Sequence, residues 1–385
     1  LTEHPDLNYM MGMQESLVVY MAEGYSRSSG KLSACNVHVA PGLGNAMGAI
    51  YAAKFANTPI IITAGQQEQG HGLTEPLLYD PLVPIAEPLV KWAVEVTRFE
   101  DLPRIVRRAA KIAMTPPTGP VFISLPGDIL NEEGALELGA RTRVDTKVRP
   151  VDSTLEHTAE RILAASNPVI VAGHELATDD ALQEAAEFAS IIGCPVYQQT
   201  VQYGAHFLSE HPSFMGALNR DQEQVRKILS PYDFLIVLGA DVLRMSVWSS
   251  SEPLPEGMAI LQIGQRDWEM GKNFPTELAL RADVKETLKA LNIKLTELGG
   301  AKQQVKADVS LKQLASSNWS ANREDVIKEL IAAPKTGPID PAWMIMKIID
   351  TMPDDTIIVD EGIISSKPLM ELLPYKSASS LFGMA

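Results

Sequence analysis

Cysteine is nearly absent: Cys35 and Cys194 are the only two in 385 residues. They lie far apart in the chain and fit no metal-ligand spacing, so they read as reduced core thiols rather than as a disulfide or a metal site. Basic charge is also short, with 33 Lys and Arg against 48 Asp and Glu and a formal net charge of −15. Nucleic acid or an anionic membrane surface would demand a basic face, and neither is expected as a partner. No apolar run approaches the roughly eighteen residues of a membrane span. No basic-then-apolar leader opens the chain, and a cytoplasmic protein is expected. The chain lacks a Walker loop and a GxGxxG fingerprint, which removes the direct sequence argument for a nucleotide. What remains, 45% hydrophobic and 21% charged residues, suits a globular chain of roughly two or three domains.

Strands and helices alternate along it, the pattern of parallel sheets wrapped by helices. The stretch "LSACNVHV" (32–39) reads as a strand, "GLGNAMGAIYAAKFA" (42–56) as a Gly-rich turn entering a helix, and "PIIITAG" (59–65) as a buried strand. After a long loop come an amphipathic helix over 99–115 and the strand "GPVFISLP" (119–126). A polar, Gly-containing linker is placed at 131–150, closing a first α/β domain over 1–130. A second doubly wound domain covers 151–296, with strands at 168–173, 194–200, within "YDFLIVLGADV" and at 259–264, and a closing helix "VKETLKALNIKL". A Lys-, Gln-, Ser- and Ala-rich connector carrying one helix is expected over 297–336. A third cycle starts at 337–385 with the helix "PAWMIMKIIDTM" and the strand "TIIVDEG".

One carboxylate looks out of place. Glu15 follows the apolar, strand-like run Tyr9, Met10, Met11 and Met13 and opens a helix whose inner face is expected to be Leu17, Val18, Tyr20 and Met21. Locally, an acid in the first turn of a helix is favoured by the macrodipole and the free N–H groups there. His38, alone in a strand, reads by default as a satisfied core residue, although it stands at the strand end where open α/β sheets bind ligands. The loop "PGLGNAMGA" can be a tight strand-to-helix turn or an anion-approaching loop.

Taken together, "NVHVAPGLGNAMGAIYAA", "PIIITAGQQEQGHGLTEPLLYD", "PLVKWAVEV", "GPVFISLPGDIL", "SNPVIVAG" and "YDFLIVLGADV" occur in the order seen in thiamine-diphosphate-dependent 2-oxo-acid decarboxylases. The chain resembles that family over its whole length, and most of all its benzoylformate decarboxylase-like members. The resemblance implies successive α/β domains: a pyrimidine-binding domain, a central Rossmann-like domain and the start of a diphosphate-binding domain. It also implies thiamine diphosphate and Mg²⁺ as cofactors, a small 2-oxo acid as substrate, and a homodimer or homotetramer.

Residue by residue, Glu15 matches the acid that hydrogen-bonds the cofactor's pyrimidine and promotes loss of the thiazolium C2 proton; burial against Met and Val would favour its neutral form. His38 matches an active-site His that shuttles protons to and from the substrate adduct. Gly44 and Asn45 lie on the loop that packs near the pyrimidine end, and His71 lies on the loop at the active-site mouth. A second catalytic His of the pattern is replaced by Ser246 in "GADVLRMSVW", and a hydroxyl cannot shuttle protons as an imidazole does near neutral pH. The resemblance therefore leaves benzoylformate unfixed as the substrate.

Some relatives bind FAD in the central domain, but no residue here licenses it. The Gly-Asp-Gly metal motif of the family does not occur; Asp360 and Glu361 are adjacent and point to opposite faces. That motif is expected beyond Ala385, and a first strand before Leu1, as in a piece of a longer protein that alone would not turn over substrate. The alternatives are an acetolactate synthase-like carboligase, a non-catalytic assembly partner and, from the α/β pattern alone, a nicotinamide-binding oxidoreductase.

Overall fold

The computed structural model describes residue 4 and residues 7–333 and 337–383; part of the expected connector, 334–336, lies outside them. The chain divides into two compact units, 1–146 and 147–384. Residues 132–151 form no regular element.

In the first unit the strands β1 (Ser33–Val37), β2 (Ile60–Gln66), β3 (Ala93–Glu95) and β4 (Val121–Pro126) make a parallel sheet in the order β1-β2-β4-β3. The unbroken apolar run of β2 reflects burial on both faces. Ile60 and Ile62 pack with Val19, Leu43, Ile50 and Phe122 beneath the helices α1 (Glu15–Ser29) and α2 (Val39–Phe55). Ile61 packs on the opposite face with Ala109 and Ala113 of the helix Leu102–Met114. Each fully buried isoleucine stabilises the sheet by about 2–3 kcal/mol.

Three expectations need correcting here. Residues 7–12 form no strand, and Met10, Met11 and Met13 are 74%, 73% and 86% exposed, so they do not wall Glu15. The inner face of α1 is Val19, Ala22, Glu23 and Ser26, while Leu17 is exposed. The expected Gly-rich turn is helical, since α2 begins at Val39; Pro41 sits in its first turn, where its missing N–H costs nothing.

In the second unit six parallel strands follow the order β10-β9-β8-β5-β6-β7. They are β5 (Pro168–Ala172), β6 (Val196–Gln198), β7 (Phe214–Ala217), β8 (Phe234–Leu238), β9 (Ala259–Gly264) and β10 (Leu278–Arg281). Along β8, Phe234, Ile236 and Leu238 face one apolar layer and Leu235 and Val237 the other, as period-two alternation requires. The expected closing helix runs on from Val284 to Ala315, broken at Gly300 (φ 54°, ψ −159°). With the helix Trp319–Ala332, the connector region therefore carries two helical stretches rather than one. Strands β11 (Ile358–Asp360) and β12 (Leu381–Gly383) form a separate parallel pair. Among the described residues no helix is long and apolar enough to cross a membrane.

Candidate active site

The carboxyl edge of the first sheet gathers Glu15, His38, Gly42 and Asn45. Gln14 is the N-cap of α1, and its side-chain oxygen accepts from the N–H groups of Ser16 (2.6 Å) and Leu17 (3.2 Å). The neutral amide therefore does the capping that the local pattern assigned to Glu15. Glu15 is left half-buried and directed across to α2, where Asn45 Nδ2 donates to its Oε2 at 3.1 Å. The Ser16 hydroxyl donates to the Asn45 carbonyl and ties the same two helix starts again. A Cβ on Gly42 would come within 3.0 Å of Glu15 Oε1 and 3.2 Å of His38 Cβ, so glycine is what lets the acid and the histidine approach α2 this closely.

His38 is not a core residue: it is exposed, follows the last residue of β1 and stands at the N-cap of α2 without a capping bond from its side chain. Its successor Val39 has φ 37°. A β-branched residue in the left-handed region costs roughly 1–2 kcal/mol, and such strain collects where a turn is set by function. A Cβ at Gly44 would enter open space, so nothing in this chain's own packing demands glycine there.

The remaining expected residues are not joined to this cluster. His71 is exposed at the start of a single 3-10 turn, Gly72–Thr74. Its loop is tied to the end of β4 by Gln69, whose backbone N–H and Nε2 donate to Asp128 at 3.2 and 2.9 Å. Partial desolvation pulls Asp128 up, and the donors of Gln69 together with the backbone N–H groups of Asp128 and Ile129 outweigh it and hold the carboxyl below its ordinary range. Ser246 belongs to the second unit, is exposed, and donates its backbone N–H to the Arg220 carbonyl at 3.2 Å.

Sequence patterns gave no hint of a buried ion cluster at the carboxyl edge of the second sheet. Arg266 Nε lies 3.0 Å from Glu175 and its Nη1 lies 2.7 Å from Asp241. Burial pushes Glu175 up despite the adjacent guanidinium. Glu175 follows β5 at the point where the strand order reverses between β5 and β8, the place where open α/β sheets take ligands. Here the chain's own side chains occupy it: a Cβ on Gly239 would come within 2.5 Å of Glu175 Cβ, and one on Gly173 within 2.3 Å of the Gly239 carbonyl. Among the described residues no group of three or more His, Cys, Asp or Glu is placed to hold a metal ion.

Two domain models match: the N-terminal TPP binding domain of thiamine pyrophosphate (thiamine diphosphate) enzymes over residues 1–77, and their central domain over residues 155–291. A solved thiamin diphosphate-dependent enzyme from Mycobacterium smegmatis, so described, superposes with a TM-score of 0.80 at 30% identity, over 99% of this chain and 70% of that one. The chain belongs to the thiamine pyrophosphate enzyme family. Within that family it is 32% identical over 290 residues to the benzoylformate decarboxylase of Pseudomonas aeruginosa, covering 74% of this chain and 54% of that protein. It is also 25% identical over 354 residues to the acetolactate synthase large subunit of Buchnera aphidicola, covering 90% of this chain and 59% of that protein. The chain thus spans between half and two thirds of the length of these curated relatives.

Thiamine diphosphate suits the cluster in the first unit on one structural ground. Glu15 keeps an oxygen that no other described side chain engages, beside a glycine whose missing Cβ leaves that oxygen its place.

Proposed function

We propose that the protein serves as a thiamine-diphosphate-dependent carbon–carbon lyase that decarboxylates a 2-oxo acid. The observation that carries this reading is the release of Glu15 from helix capping by Gln14, which leaves a carboxyl beside His38 at a ligand-binding sheet edge. When bound, the cofactor would supply a nucleophilic carbon and an electron sink for loss of CO₂ from the 2-oxo acid. Glu15 would take up and release a proton at Oε1, the oxygen not engaged by Asn45. His38, with an imidazole open to solvent, moves protons to and from the substrate carbon. Gly44 and Asn45 border the pyrimidine end, and His71 is a candidate pocket residue within the first unit.

In this reading residues 1–130 are the cofactor-activating domain, 151–296 the central domain and 337–385 the start of a diphosphate-binding domain, in a cytoplasmic homodimer or homotetramer. Mg²⁺ belongs to the same reading; among the described residues no group of three or more His, Cys, Asp or Glu is placed to hold a metal ion. Carboligation in the manner of acetolactate synthases is the second reading, supported by the similarity across 90% of the chain.

The test is CO₂ release by the full-length protein, with thiamine diphosphate and Mg²⁺, across aliphatic and aromatic 2-oxo acids. With Ser246 in place of an imidazole, benzoylformate is expected to be a poor substrate. Absence of both turnover and cofactor binding would leave only an assembly role.

A further inference from the structure

Asn45 borders the cofactor in the proposed function, yet its contacts within the protein point elsewhere. Among the described residues it is the sole hydrogen-bond partner of the Glu15 carboxylate. Its own carbonyl is fixed by the hydroxyl of Ser16, the residue after Glu15. Side chain and main chain of one residue on α2 therefore grip two successive residues on α1. Gly42 lies three positions earlier on the same face of α2, and a Cβ there would come within 3.0 Å of Oε1, tighter than an ordinary contact.

We propose that Asn45 and Gly42 are positioning residues that seat the Glu15 carboxylate, Asn45 through its amide donor and Gly42 through its missing side chain, and that neither acts by touching the cofactor. This rests on reading Glu15 as the activating acid. Asn45 is exposed, so its hydrogen bond adds little to stability, and its effect falls on the direction of the carboxylate.

The experiment uses the full-length protein with Asn45→Ala, Asn45→Asp and Gly42→Ala. In crystals grown without cofactor, Glu15 is expected to leave its place beside Gly42 in both Asn45 variants and to shift by a few tenths of an ångström in Gly42→Ala. With cofactor, Asn45→Ala is expected to lower kcat about ten- to a hundredfold, the effect of losing one hydrogen bond to a charged group. The affinity for thiamine diphosphate and the urea midpoint should stay near wild type. Asn45→Asp keeps the shape but removes the donor and adds a like charge, so it should lose at least as much; activity near wild type in that variant would mean that Asn45 only fills space. Glu15 unmoved in cofactor-free Asn45→Ala, or a weakened cofactor affinity with Glu15 in place, would overturn the proposal. The position of Glu15 in cofactor-free crystals does not depend on whether Glu15 is catalytic, which Glu15→Gln decides separately.

Discussion

Asp179→Asn should stabilise the protein above neutral pH and do nothing in acid. Asp179 follows the short helix Glu175–Thr178, and its Oδ2 accepts from Gln265 Nε2 at 2.8 Å and from the Val284 N–H at 3.3 Å. Burial, then the charges of Glu175 and Asp283, push its carboxyl up to about 7, against an ordinary 3.8, while those two donors pull the other way. Between these values the folded protein holds a proton that the unfolded chain has lost, so stability falls as pH rises from about 4 to about 7. The difference, at about 1.4 kcal/mol per pH unit, sets a ceiling of roughly 4 kcal/mol. Glu175 is raised in the same cluster and shares the proton uptake, so about 1–3 kcal/mol is the expected gain. An Asn keeps an acceptor for Val284 and carries no charge. Urea unfolding followed by tryptophan fluorescence, near pH 4 and near pH 8, reads this directly: the two proteins should coincide in acid and separate in base. A variant that is less stable by the same amount at both values would show that Asp179 acts through its hydrogen bonds and stays ionised throughout.

Val39→Gly is expected to leave the urea midpoint unchanged or raise it by up to about 1 kcal/mol in stability, because glycine relieves the left-handed backbone at φ 37°; a loss of the size usual for Val→Gly in a helix would mean that Val39 packing outweighs the strain. Neither cysteine should react with a thiol reagent in the native protein at mildly alkaline pH, since burial pushes the Cys35 thiol up to about 12 and Cys194 higher still. Rapid labelling of one thiol per chain without unfolding would contradict that burial.

The sheets were legible where strands are central and buried on both faces. Runs such as "IIITAG" and "FLIVL" announce themselves as continuous apolar segments. The strands that the sequence did not reveal, β3, β7, β10 and β12, all lie on sheet edges, are only three or four residues long and lack that run. The glycines of "PGLGN" suggested a turn because glycine is a poor helix former. Gly42 instead serves close approach within a helix, a tertiary reason that local propensity cannot carry. Glu15 and His38 stood out locally, but the roles proposed for them came only from the family resemblance. The Gln14 cap and the Asn45 tether were hidden, since the first depends on a rotamer and the second on a partner 30 residues away. The apolar residues before Glu15 looked like a wall because sequence reports hydrophobicity without saying what covers it; in this chain they are exposed.

Glu15→Gln tests the central claim most directly, read as hydrogen–deuterium exchange at C2 of thiamine diphosphate bound to the full-length protein. The amide matches the carboxyl in volume and can still face Asn45, but it cannot give up or take a proton at Oε1. Exchange should slow by about two to four orders of magnitude, the usual range of a general acid–base contribution, with the fold and the cofactor affinity kept. Exchange at the wild-type rate in that variant would contradict the assignment of Glu15 as the activating acid.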